Sequence, residues 1–163
     1  MTNPAMTLPA HTLYLEDLAV GQRYATQGRT ITEADLVLFA GWSWDTNPVH
    51  TDATYAASGR FGERIGHGLL GLSIAMGLVS RLAVFERSAF AFLGIDDWNF
   101  RAPIRIGDTL RCVVEVVGVR PTREAGVLHR RLTLLNQADE VVQEGVVAVL
   151  VARRPETAEP GTP

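Results

Sequence analysis

A single cysteine, Cys112, stands in 163 residues, which excludes an internal disulfide framework and any multi-cysteine zinc or iron–sulfur site. It lies in the apolar run CVVEVV and reads as a small core residue. Histidine is scarce too: the four are scattered, with no H-x-E or HExxH pattern, so no metal centre is expected. No block of Lys or Arg interrupts a chain of formal net charge -3, which argues against nucleic acid or an anionic membrane as partner. No apolar run reaches the about 20 residues of a membrane span. The N-terminus MTNPAMTLPAHTL lacks the basic start and continuous apolar stretch of a secretory signal. The expectation is a cytoplasmic protein that acts on a small molecule or another protein.

What is present suits one soluble domain: 47% of residues are hydrophobic and 20% charged, and the length is enough to bury a core unaided. Residues 1–12 and 153–163, rich in Pro, Thr and Ala, read as flexible tails around a folded unit over 13–152. His11 falls in the first tail. There is no internal repeat.

Within the unit, TEADLVLFAGWS predicts a helix with Thr32 as cap and Asp35 as reciprocal acceptor, its buried stripe carrying Leu36, Phe39 and Ala40. HGLLGLSIAMGLVSRL, residues 67–82, predicts a second helix with almost no polar face before Arg81, hence one buried on nearly all sides. FAFLGIDDWNFR, TLRCVVEVVGV, VLHRRLTLLNQ and VVQEGVVAVLVAR follow as β-branched runs. Turn signals separate them at Gly107-Asp108, around Pro121 to Gly126, and at Ala138-Asp139. Long hairpin-linked strands and one apolar helix predict an α+β fold, a single hot dog domain in which a long antiparallel sheet wraps a central helix. The last run, VVQEGVVAVLVAR, is expected to offer an apolar edge for self-association.

The densest polar cluster is SWDTNPVHTD, residues 43–52. Asn47 precedes Pro48 and is driven toward extended backbone, while Pro48 fixes its own φ, so a stiff bend should interrupt the helical course. Such a bend can turn Asp45 and His50 toward one cavity, where a carboxylate and an imidazole hold one water and exchange protons with it. A simpler reading makes Asp45, Asn47 or Asp52 a helix cap and His50 a satisfied buried histidine.

Downstream, Gly66 and Gly68 flank His67 at the start of the apolar helix, where free backbone N–H groups and the positive end of the helix dipole meet. With no side chain at Gly68, a ligand carbonyl oxygen can approach its N–H. The plainer alternative is that both glycines only ease entry into the helix. An acid–base pair beside an oxyanion donor is what adding water to an α,β-unsaturated thioester requires.

The stretch FAGWSWDTNPVHTDATYA, followed by RFGERIGHGLL, resembles the hydratase motif of the MaoC-like, (R)-specific enoyl-CoA hydratases. FRAPIRIGDTL looks like the family's later strand-turn-strand signature, and the similarity runs from about Leu15 to Val151. The resemblance implies a hot dog fold and a homodimer or larger assembly. It also implies reversible hydration of a trans-2-enoyl thioester to a (3R)-hydroxyacyl thioester without metal or redox cofactor, the acyl group being carried by coenzyme A or acyl carrier protein. Asp45 and His50 match the pair that holds the water, and Gly68 the donor to the thioester oxygen. Asn47 shapes their loop, and His67, beside Gly66 in the substrate-binding segment, positions rather than catalyses.

Two other activities share the fold: an acyl-CoA thioesterase, against which the complete D-x-N-P-x-H pattern argues, and a non-catalytic acyl-binding subunit, which would be expected to lose Asp45 or His50. Where many relatives have glycine before the aspartate, this chain has Trp44. It is expected to pack beneath the loop as core rather than to project into the acyl pocket. Arg60, Arg64, Arg101 and Arg105 are candidates for meeting coenzyme A phosphates. His129, in a strand, is expected at the surface.

Overall fold

The computed structural model describes residues 12–155; residues 1–11, with His11, and 156–163 lie outside the described part. After a 3-10 turn at Leu15–Asp17 come two short strands, β1 (Arg23–Ala25) and β2 (Arg29–Thr30). Three helices follow, α1 (Glu33–Ser43), α2 (Pro48–Thr51) and α3 (Ala53–Ala57), and then the long helix α4 (Gly68–Ser80). Four long strands complete the chain: β3 (Ala89–Phe100), β4 (Thr109–Pro121), β5 (Ala125–Leu135) and β6 (Val141–Ala152). Asp35 accepts from the Thr32 backbone N–H at 2.8 Å and from its hydroxyl at 2.9 Å, fixing the start of α1 as its sequence predicts.

The sheet is antiparallel in the order β1-β4-β5-β6-β3, with β2 paired to β4. Gly107, at φ 95°, supplies the left-handed turn before β4, a backbone that a side chain would resist. Alternate residues of β4 and β5 face α4: Leu110, Cys112, Val114 and Val116 on one, Leu128, Leu132 and Leu134 on the other, all buried. Burial pushes the Cys112 thiol up to about 12, so it stays a neutral, inert core group. Arg153 and Arg154, placed by the sequence in a tail, reach back to Glu16, Asp17 and the Thr122 carbonyl.

Two expectations need correcting. Leu70, Ile74, Ala75, Leu78 and Val79 of α4 are buried, but Leu69 is 62% exposed and Ser73 and Gly77 share its open face. The sheet cups the helix from one side, so an all-apolar helix here leaves one stripe uncovered by its own chain. The free edge is also not the last strand. β6 lies between β5 and β3, and β3 forms the edge, with Phe90, Phe92, Leu93, Ile95 and Phe100 exposed.

Candidate active site

The loop between α1 and α2 is built by backbone constraints. Trp44 closes α1 in the left-handed region, at φ 62° and ψ 12°, and reverses the chain. Asn47, extended ahead of Pro48 at φ -52° and ψ 133°, accepts from the Val49 N–H at 3.1 Å and so caps α2. Asp52 caps α3 by accepting from the Tyr55 N–H at 2.9 Å. The capping alternative therefore holds for Asn47 and Asp52. Asp45 caps nothing: its Oδ1 accepts a long 3.3 Å bond from the Asn47 N–H, and its Oδ2 faces His50.

Trp44 is neither core nor pocket lining; its side chain is 87% exposed, because the left-handed backbone that turns the chain also throws the indole outward. That backbone costs a non-glycine residue about 1–2 kcal/mol, partly offset by glycine's greater chain entropy when unfolded. Trp44→Gly should therefore stabilise the fold by about 0.5–1 kcal/mol, a rise of a few degrees in Tm measurable by calorimetry. A loss of several degrees would show that the indole is buried in the working protein.

Asp45 Oδ2 and His50 Nε2 stand 4.0 Å apart, too far for a direct hydrogen bond. His50 Nδ1 lies 2.8 Å from the Ile65 carbonyl oxygen, which only accepts, so Nδ1 carries the proton and Nε2 presents a lone pair. A water about 2.8 Å from both Asp45 Oδ2 and His50 Nε2 would subtend an angle of about 90° between them, a geometry one water molecule can satisfy. His50 is mostly buried, whereas half of the Asp45 side chain is open to solvent.

His67 holds this pair in place. Its ring stacks on that of His50 with centroids 3.8 Å apart, and its Nε2 donates to the Asp45 carbonyl oxygen at 2.9 Å. Its Nδ1 is buried without a partner among the described residues. Ligand atoms of Asp45, His50 and His67 come within 4.8 Å of one another, close enough to raise the question of a metal. Two of the four imidazole nitrogens are committed to carbonyls, however, and the one left on His67 points into protein.

At the start of α4 the two glycines differ. The Gly66 N–H donates to the Ile104 carbonyl at 2.7 Å, which anchors the segment to the turn before β4. Gly68 is the first helical residue, whose N–H has no intrahelical acceptor. A Cβ on Gly68 would meet the Phe100 ring at 2.8 Å, so a side chain here would force the ring or the turn to shift.

Three contributors were not singled out by the sequence. The Ile65 carbonyl fixes the His50 tautomer. Buried Gln143 on β6 donates to the Gly68 carbonyl at 3.0 Å and accepts from Trp98 Nε1 at 3.1 Å, so the sheet clamps the first turn of α4. The Phe100 ring lies beside Gly68, where a Cβ would point. Each depends on a pairing of distant segments that no local pattern reveals.

Of the candidate phosphate contacts, Arg64 pairs with Glu33, Arg101 with Glu144 and Arg105 with Glu63, while Arg60 is exposed. His129 is half-buried in β5. A cavity of about 790 Å³ runs along the open stripe of α4 past Leu70, Ser73 and Gly77 toward Arg29 and Arg81. Asp45, His50 and Gly68 do not line it; in the single chain the pair sits on an open face.

A MaoC like domain model matches residues 17–137, and the chain belongs to that family. It is 37% identical over 146 residues to an (R)-specific enoyl-CoA hydratase of Rhodospirillum rubrum, covering 86% of this chain and 93% of the relative. It is 36% identical over 145 residues to a 3-hydroxybutyryl-CoA dehydratase of Methylorubrum extorquens, covering 88% and 87%. The solved MaoC-like dehydratase from Rhodospirillum rubrum superposes with a TM-score of 0.79 at 30% identity, over 88% of this chain and 99% of that one. The hot dog fold expected from the order of elements is the fold of the chain. Among the described residues no helix is long and apolar enough to cross a membrane.

Proposed function

We propose that this hydro-lyase adds water reversibly to a trans-2-enoyl thioester, giving a (3R)-3-hydroxyacyl thioester, with Asp45 and His50 holding the water and Gly68 the thioester oxygen. The observation that carries the reading is the 4.0 Å gap between Asp45 Oδ2 and His50 Nε2, closed on one side by a fixed tautomer. In the forward direction the water oxygen bonds to Cβ as His50 Nε2 takes its proton. The π electrons move to the thioester oxygen, where the Gly68 N–H and the α4 dipole stabilise the charge, and the pair returns a proton to Cα. The names of the two curated relatives, a hydratase and a dehydratase, support this chemistry.

A homodimer completes the site in this reading. The open Asp45 face, the uncovered stripe of α4 and the free apolar edge of β3 all need a partner surface, and a second copy paired through β3 supplies one. No metal takes part. The carrier is coenzyme A or acyl carrier protein, and the setting is cytoplasmic.

A panel of enoyl-CoA esters, followed by loss of the conjugated thioester absorbance and by free thiol release, tests the reading. Hydration without thiol release, unchanged after exhaustive chelation, is the expected result. Thiol release with the double bond retained would make the protein a thioesterase, and inactivity toward every ester would leave an acyl-binding subunit.

A further inference from the structure

Arg130 occupies a core position. It sits on β5 between Leu128 and Leu132 in the row of side chains that faces α4, and is only 3% exposed. Its guanidinium carbon lies 5.1 Å from the centroid of the Phe85 ring. Its Nε is buried with no hydrogen-bond partner, and no carboxylate among the described residues lies within ion-pair distance. Eight more exposed arginines, Arg29, Arg64, Arg101, Arg105, Arg111, Arg131, Arg153 and Arg154, each face a carboxylate, and the other arginines without one, Arg23, Arg60, Arg81, Arg87, Arg120 and Arg123, are half-buried or exposed to water. Cys112, the titratable neighbour in the core, is a neutral thiol and cannot balance the charge. Burial lowers the Arg130 pKa to about 10, which leaves it cationic at neutral pH.

A buried cation needs an anion or water, and the structure supplies a place for one. A second cavity, about 340 Å³, opens between the last turns of α4 and the first residues of β3, lined by Arg130 together with Met76, Val79, Phe85, Phe90 and Phe92. Glu86 is on its rim, exposed and beyond ion-pair reach of Arg130. Apolar walls with one convergent cation select a ligand that is hydrocarbon along its length and singly anionic at one end. A planar carboxylate matches the guanidinium fork.

We propose that this cavity binds a carboxylate on a short apolar chain, the carboxylate resting on Arg130 and the chain against Met76, Val79, Phe90 and Phe92. The cavity and its cation are argued from Arg130 and its neighbours alone, whereas an acyl-chain source for the acid rests on the reaction proposed above. The acid is either a free carboxylic acid or the far end of an acyl chain, and binding and kinetics separate these sources.

The test is thermal denaturation and calorimetric titration of the full chain with butyrate, hexanoate and glutarate, with chloride and phosphate as controls. The expected result is saturable binding of the short carboxylates. A hundredfold excess over Kd should raise Tm by about 5 °C, an effect absent in Arg130→Met and weakened in Arg130→Lys. Met76→Trp, which fills the cavity and keeps Arg130, should abolish the same shift and serves if Arg130→Met does not fold. In kinetics, a loss of tenfold or more in kcat/KM confined to enoyl-CoA esters with a terminal carboxylate, crotonyl-CoA being unaffected in Arg130→Met, assigns the site to the acyl end. Binding of free acids with unchanged kinetics assigns it to a separate ligand. No saturable binding by wild type, with Arg130→Met as stable as wild type and equally active on both esters, overturns the proposal.

Discussion

His50→Ala and Asp45→Asn should each lower turnover of an enoyl thioester by about 10²–10⁴, the range for a positioned acid–base group, with the fold retained. The expectation comes from how each group is held. His50 is locked by Ile65 so that its lone pair meets the Asp45 carboxylate across a water-sized gap. Alanine removes the base, whereas asparagine keeps the shape of Asp45 and turns an acceptor into a partial donor. Loss of kcat with near-native circular dichroism and Tm is the result to look for. Rates within a few-fold of wild type in either variant would remove that residue from the chemistry. His67→Ala tests the other side, since a residue that only positions should cost less than His50 and should loosen the loop as well.

Gly68→Ala carries the second large effect. The added methyl would come within 2.8 Å of the Phe100 ring, so either the ring or the first turn of α4 must move. Gln143 holds the Gly68 carbonyl from the far side, which limits how the turn can yield. Because the proposed oxyanion donor is the N–H of the same residue, a displacement of this kind should cost about 10²–10³ in kcat, comparable to removing one such donor. Phe100→Leu in the same chain relieves the clash and should restore part of the rate. A Gly68→Ala enzyme with full activity would show that the thioester oxygen is held elsewhere.

Much of this architecture was legible locally. The Thr32–Asp35 cap, the Asn47-Pro48 bend, the Gly107 turn and the alternation of β4 and β5 are each set by neighbours in sequence, so short-range physics decides them. Asp45 and His50 approach to 4.0 Å within a six-residue segment that includes Pro48, so their nearness too is a local matter. What escaped were relations between distant segments. Burial of α4 depends on which face the sheet leaves open, and the free edge depends on strand order rather than on strand composition. Trp44 was misplaced because a bulky aromatic suggests core, while the left-handed residue at the end of α1 settles where its side chain goes. The Gly66 N–H likewise finds its acceptor in Ile104, a partner distant in sequence.

The burial of Cys112 has a chemical consequence for a protein that handles conjugated thioesters. An enoyl thioester is an electrophile that thiolates and amines attack at Cβ, the same carbon at which water must add. The chain's one thiol is sealed beneath the sheet and held neutral, and none of its 163 residues is lysine. Its fifteen cationic side chains are all arginine, whose guanidinium is a poor nucleophile. The alkene is therefore spared irreversible capture by the protein's own cysteine or lysine side chains, and the competition at Cβ is left to the water between Asp45 and His50.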